Sequence, residues 1–186
     1  VSMITTKPDE DLDLRLEATA GNYDSLDYRG LASGPITATL FGKFSFSSRQ
    51  RDGYMKSQAA GFPDAFSAIN ASGLSNIEQS DLNTDSFRGA LRFVPNEQME
   101  FNLTANVSRM DQNGPGRHYI GGRWEAAEAF YIPNYSNRIH KNLAVDSGHS
   151  ITDIFGTTFR AEYFAEDFTV TSLSSYREVE ADINNL

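Results

Sequence analysis

The chain has 186 residues, 39% hydrophobic and 12% aromatic, with a formal net charge of -9 and no cysteine. The acidity excludes a general nucleic-acid binder, which carries a basic stripe, and the missing cysteine excludes a disulfide framework or a thiolate metal site. No apolar run approaches the roughly 18 residues of a transmembrane helix; a negative mean hydropathy still fits barrel strands, which are polar at every second position.

Val1 to Pro8 is a short β-branched segment closed by proline, and Asp9 to Asp11 is an acidic link. Leu12, Leu14, Leu16, Ala18 and Ala20 then alternate with Asp13, Arg15, Glu17 and Thr19. A period of two is the signature of a strand with one apolar and one polar face. Gly21 to Ser25 predicts a tight turn, and a weaker second strand follows through Leu26, Tyr28, Gly30 and Ala32. A turn is expected at Gly34-Pro35, then a third strand with Leu40, Gly42, Phe44 and Phe46 on one face.

Residues 50–83 read as a long irregular segment, with a short helix expected at 64–70. Thr84 to Arg109 reads as a hairpin. Phe87, Gly89, Leu91 and Phe93 alternate with Arg88, Ala90 and Arg92, and Val94-Pro95-Asn96-Glu97 supplies the turn. Met99, Phe101, Leu103, Ala105 and Val107 then alternate with Glu100, Asn102, Thr104, Asn106 and Ser108. Each arm has the length of a tilted transmembrane strand, about 9–11 residues. Residues 111–152 form a second long segment, with a helix expected at 123–130. Strand six places Phe155, Thr157, Phe159, Ala161 and Tyr163 opposite Gly156, Thr158, Arg160 and Glu162. Ala165-Glu166-Asp167 turns the chain into strand seven, Phe168 to about Glu180, with Phe168, Val170 and Tyr176 among its apolar positions.

In a meander, alternate turns share a rim. The second, fourth and sixth turns are tight, whereas the third and fifth are long. Outer-membrane barrels show this asymmetry of short periplasmic turns and long extracellular loops. The fold class is therefore read as all-β, a fragment of an antiparallel transmembrane barrel with about seven meander strands. Such barrels have an even strand number in bacteria, and an open edge in hydrocarbon leaves backbone groups unpaired, so further strands are expected beyond Leu186. The opening Val1-Ser2-Met3 likewise reads as a cut edge. In this barrel Arg15, Glu17, Arg29, Lys43, Arg88, Arg92, Arg160 and Glu162 line the lumen and pair with what fills it.

The second long loop gathers Arg117, His118, Tyr119, Arg123 and the single Trp124, followed by Tyr131 and Tyr135. Guanidinium groups suit anions and aromatic faces suit rings or cations, so this cluster is the candidate ligand rim; an interface belt is the plainer reading. His118, His140 and His149 match no compact ligand spacing, and no metal or cofactor is expected. Glu125/Glu128 and Glu166/Asp167 are the paired carboxylates of an acidic chain, and no nucleotide-binding or hydrolase fingerprint occurs; an enzyme is not expected. The sequons at Asn102 and Asn106 read as polar strand positions.

Four stretches resemble the TonB-dependent outer-membrane receptors: VSMITTKP at 1–8 the last strand of the plug, GNYDSLDYRGLASGPI at 21–36 the first barrel hairpin, FSFSSRQRDGYMKS at 44–57 the third strand and its exit, and LRFVPNEQMEF at 91–101 the next periplasmic turn. The resemblance implies the end of a plug at 1–8, the beginning of a barrel of about 22 strands at 9–186, and extracellular loops at about 50–83 and 111–152. It implies energy-coupled uptake of a ferric siderophore or similar scarce nutrient across the outer membrane of a Gram-negative bacterium. The implied partners are membrane lipid, the plug, the inner-membrane TonB complex and the nutrient ligand, with no nucleic acid. The rivals are a passive porin-like barrel and a soluble β-sandwich ligand-binding module.

Overall fold

The computed structural model describes residues 6–57, 78–116, 140–142 and 148–184. Among these residues there is no helix. The strands are β1 (Asp13–Gly21), β2 (Ser25–Pro35), β3 (Leu40–Arg51), β4 (Met55–Ser57), β5 (Glu78–Gln79), β6 (Leu82–Asn96), β7 (Met99–Asn113), β8 (Lys141–Asn142), β9 (His149–Phe164) and β10 (Thr169–Asn184). The seven long strands form one antiparallel sheet in chain order, β1-β2-β3-β6-β7-β9-β10. The all-β meander expected from the alternation is the fold observed.

Register carries each strand's alternation across the whole sheet. Leu14 lies opposite Ala32, Ala32 opposite Phe44, Phe44 opposite Gly89, and Gly89 opposite Ala105. Arg88 lies opposite Asn106, Asn106 opposite Gly156, and Gly156 opposite Arg177. A slip of one residue in any pair would exchange the faces, and no such slip occurs along these rows. On the apolar face Phe101 stacks between Phe93 and Phe159, with centroids 6.2 and 6.4 Å away. Phe46 lies over Gly30, its partner in register, and fills the space that a Cβ there would need.

The sheet has no hydrophobic core. Among the described residues the only buried hydrophobic side chain is Met55, on a short strand outside the main sheet. Leu14 is 69% exposed, Phe44 50%, Leu103 44% and Phe159 44%. The apolar band has a definite height. On β7 it covers the nine residues from Met99 to Val107, and on β9 those from Phe155 to Tyr163. Beyond it, toward the long loops, the same face changes to Asp85, Arg109, Asp111 and Asp153. β10 departs from the alternation: Ser172 and Ser174 stand on the apolar face and Leu173 on the polar one.

Turns and loops segregate to opposite edges. The β2–β3, β6–β7 and β9–β10 connections are tight, while 52–81 and 114–148 leave the other edge together with the three-residue β1–β2 turn. Two expected turns shift. The strand β2 runs through Gly34-Pro35, and the turn is at 36–39, where the Thr37 hydroxyl accepts the N–H groups of Thr39 and Leu40. Likewise β6 runs through Val94-Pro95-Asn96 with a register irregularity between Phe93 and Asn96, so that the turn is Glu97-Gln98. A bulge is where a strand tolerates proline, which has no N–H for the ladder; Val94 N–H donates instead to Thr39 O at 2.8 Å. The helices expected at 64–70 and 123–130 lie outside the described residues.

The segments expected to be irregular hold a second sheet, β5-β4-β8, in which β4 pairs antiparallel with β5 and parallel with β8. The two long connections are thus joined by backbone bonds. Replacing Gly30 by Val is expected to displace the Phe46 ring and to cost about 1–3 kcal/mol, measured as a lower urea midpoint; an unchanged midpoint would show that the ring moves freely.

Candidate functional site

The polar face is hollow. One cavity of about 1060 Å³ is lined by residues of all seven long strands, from Arg15 on β1 to Arg177 on β10. For both outer strands to reach a shared hollow, the sheet must curl around its polar face. All eight lumen candidates (Arg15, Glu17, Arg29, Lys43, Arg88, Arg92, Arg160 and Glu162) share this face by register.

Toward the tight-turn edge these residues close into a charge cluster. Glu100 on β7 lies directly opposite Glu162 on β9, and both are buried, at 7% exposure. Like charges facing each other across a ladder repel. Here cations surround them. Arg92 Nη2 donates to Glu100 Oε2 at 2.9 Å, Arg160 Nη2 to Glu162 Oε1 at 2.7 Å, and Asn102 Nδ2 to Glu100 Oε1 at 2.8 Å. The third cation, Lys7, comes from the segment before β1, and its Nζ reaches Glu100 at 2.5 Å and Glu162 at 3.3 Å. Around it the same segment is tied to the wall by Lys43 Nζ donating to Thr6 Oγ1 and Arg92 Nη1 to Pro8 O. The site therefore joins residues more than 90 positions apart. A second hollow of about 1040 Å³ lies between Thr6–Pro8 and the wall.

Charge separates between the two faces. Register places nine Lys and Arg side chains of the seven strands on the polar face, against five carboxylates. The apolar face has Arg109 against six carboxylates (Asp85, Asp111, Asp153, Glu178, Glu180 and Asp182), all toward the loop edge.

At that loop edge Tyr54 brings three segments together. Its ring meets Tyr23 of the first turn at 6.3 Å and His140 of the second long loop at 6.0 Å, both edge-on, and Arg51 lies over it at 5.3 Å. Arg51 Nη2 also donates to Ser80 O at 2.6 Å. Below this, Asn113 N–H donates to Asp81 Oδ1 at 2.7 Å, and Gly116 N–H to Ser80 Oγ at 2.8 Å. Burial pushes the Asp81 carboxyl above its ordinary pKa, and the Asn113 N–H opposes this in part. The Glu78 carboxylate at 2.6 Å holds the Lys56 ammonium above its usual range.

The ligand-rim candidates Arg117, His118, Tyr119, Arg123, Trp124, Tyr131 and Tyr135 all lie outside the described residues, as does Glu125/Glu128. His149 stands 3.5 Å from Asp111, and His140 packs on Tyr54. Sequence reasoning passed over Arg51 and Arg177, although counting parity along each strand finds both. It also passed over Lys7 as a partner of the wall, and no local pattern signals that contact.

No protein-family model matches the chain, and no curated protein matches it. Among solved structures it is similar to the crystal structure of the ferric yersiniabactin uptake receptor FyuA from Yersinia pestis, at TM-score 0.70 and 18% identity. The match covers 96% of this chain and 25% of that one, so the chain spans a quarter of the length of the structure it resembles. At this identity the likeness shows the fold: the seven strands are arranged as a stretch of that receptor's chain.

Replacing Lys7 by Gln is expected to loosen Thr6–Pro8 by about 1–2 kcal/mol, a value reduced because the lysine is half-exposed and each glutamate keeps an arginine. Hydrogen exchange at residues 6–12 should rise roughly tenfold while the sheet amides stay protected. Equal exchange in both proteins would show that the lysine is not what holds the segment.

Proposed function

We propose that the chain forms part of the wall of an outer-membrane receptor that takes up a scarce nutrient, most simply a ferric siderophore, with energy supplied through a TonB-type complex. The carrying observation is the single-layer sheet that presents a nine-residue apolar band with nothing among the described residues against it and curls around a charged face. In water such a band is unstable, because about 25 cal/mol is forfeited for each Å² of apolar surface left exposed. In hydrocarbon it is at home, and its height suits tilted strands crossing a core of about 30 Å. Segregated turn lengths and aromatic side chains at the band's margins support the same reading. The likeness to an iron-chelate uptake receptor supports transport as the activity and the outer membrane as the place.

In this reading 1–8 is the end of the plug and 9–186 the beginning of the barrel. The Glu100–Glu162 pair then serves as the wall's grip on the segment that leads into it. Lys7 supplies the third cation and Arg92 holds the Pro8 carbonyl. The long loops, joined through β4 and β8, stand on the side that meets the nutrient first.

Two measurements test this. The isolated chain should aggregate in buffer and gain a cooperative β-signal only in detergent; a folded monomer in plain buffer would instead support the soluble module. Cells carrying the full-length protein should accumulate radioactive iron chelate under iron limitation and lose that uptake when the proton-motive force is dissipated. Uptake that persists without the force would identify a passive pore.

A further inference from the structure

We infer that the junction where the two long connections meet the main sheet is a proton-sensitive clasp, with His149 as the group that takes the proton. The inference is independent of the transporter reading, because it uses only contacts at the loop edge, beyond the apolar band.

The first argument is how the backbone converges. Ser80, at the end of the first long connection, donates its N–H to Gly114 O at 3.1 Å, and Gly114 donates to Gly148 O at 2.7 Å. Three stems, 80–81, 113–116 and 148–149, thus run side by side. Ser80 and Gly148 both adopt the left-handed region, at φ 62° and 57°. Glycine takes that conformation freely, whereas serine has to be held in it. Here Gly116 N–H donates to Ser80 Oγ at 2.8 Å, and Arg51 Nη2 donates to Ser80 O.

The second argument is charge. His149 Nε2 is 3.5 Å from Asp111 Oδ1 on the neighbouring strand β7. Asp81, from the third stem, is close to both. Burial and, less strongly, the Asp111 charge push the Asp81 carboxyl above its ordinary range, and the Asn113 N–H and the His149 ring oppose this. One imidazole therefore faces two carboxylates on two other chain segments. Around them, β5 contributes Glu78, paired with Lys56 at 2.6 Å, and β9 contributes Asp153, 3.7 Å from Arg109 of β7. Asp85 on β6 lies opposite Arg109, and β10 places Asp182 opposite Ile151 and Asn184 opposite His149. A charged ring at 149 attracts Asp81 and Asp111 together; a neutral ring attracts neither.

The third argument is the choice of residue. A lysine or arginine would hold the two carboxylates at every ordinary pH, whereas histidine is the side chain that changes charge between about pH 5 and 8. The stabilisation from a charged His149 is present at mildly acid pH and is lost as pH rises through the imidazole range. Both members of the His149–Asp111 pair are partly exposed, at 47% and 37%, so the effect is a few-fold and not a full opening. A carboxyl raised above its ordinary range also gains from a proton as pH falls, so the test has to separate Asp81 from His149.

The test compares backbone hydrogen exchange of the full-length protein at about pH 5.5 and 7.5, with each rate divided by its intrinsic value. The amides of Ser80, Asn113, Gly114 and Gly116 cross the junction, and those of 101–105 in mid-strand serve as reference. The four should be about threefold to fivefold better protected at the lower pH, with the reference unchanged. H149Q should show the weaker protection at both pH values and H149K the stronger, while D81N should keep the pH dependence. Constant protection of 101–105 in every variant establishes that the sheet is intact. Equal protection of the four amides at both pH values in the unaltered protein would overturn the inference. So would a pH dependence that survives H149Q, one that D81N abolishes while H149Q does not, or an H149K protein that behaves as H149Q does.

Discussion

Everything in this molecule depends on one continuous backbone ladder. Seven strands pair edge to edge from β1 to β10, and the main chain satisfies its donors and acceptors laterally, without help from a second layer. A soluble sheet of this size hides one face against a helix or another sheet. This one has neither among the described residues, and its largest apolar side chains are left open. In the proposed membrane setting the medium supplies what a core would supply elsewhere. A hydrocarbon medium in turn demands a complete ladder, since no water is present there to satisfy a broken one. The apolar face and the unbroken ladder thus require each other.

The same ladder sorts charge. Because side chains alternate along a strand and register is kept along the paired rows, each local choice of Lys, Arg, Asp or Glu becomes a property of a whole face. The polar face becomes cationic and concave, and the apolar face becomes acidic only beyond its aromatic band. Glu100 and Glu162 show how such a face makes a specific contact. Two carboxylates in register are unfavourable alone, and that conflict creates a place for a cation from elsewhere in the chain. Arg92 and Arg160 each settle one glutamate, and Lys7 bridges both. The wall thereby has a region that grips its own chain.

The loop edge follows a different logic. There the chain leaves the ladder, and the exposed backbone finds partners in a small sheet of its own. The strands β4, β5 and β8 come from both long connections, and Tyr54 ties them to the first turn through Tyr23 and His140. Met55, the one buried hydrophobic side chain among the described residues, belongs to this sheet.

Periodicity of two was enough to read the strands, their faces and the opposite placement of tight turns and long loops, because each is set by neighbours a few residues apart. The eight charged residues assigned to one face proved to share it for the same reason. Turn positions were less legible. Gly34-Pro35 and Val94-Pro95-Asn96 carry turn residues, yet both lie in strands, since pairing with Phe41 in one case and a bulge in the other overrode local preference. Lys7 against Glu100 and Glu162, the hollow shared by all seven strands, and the sheet joining the two long loops came only from the tertiary structure. Each depends on which strands become neighbours and how far the sheet curls. Those are properties of the paired sheet as a whole, and no stretch of sequence contains them.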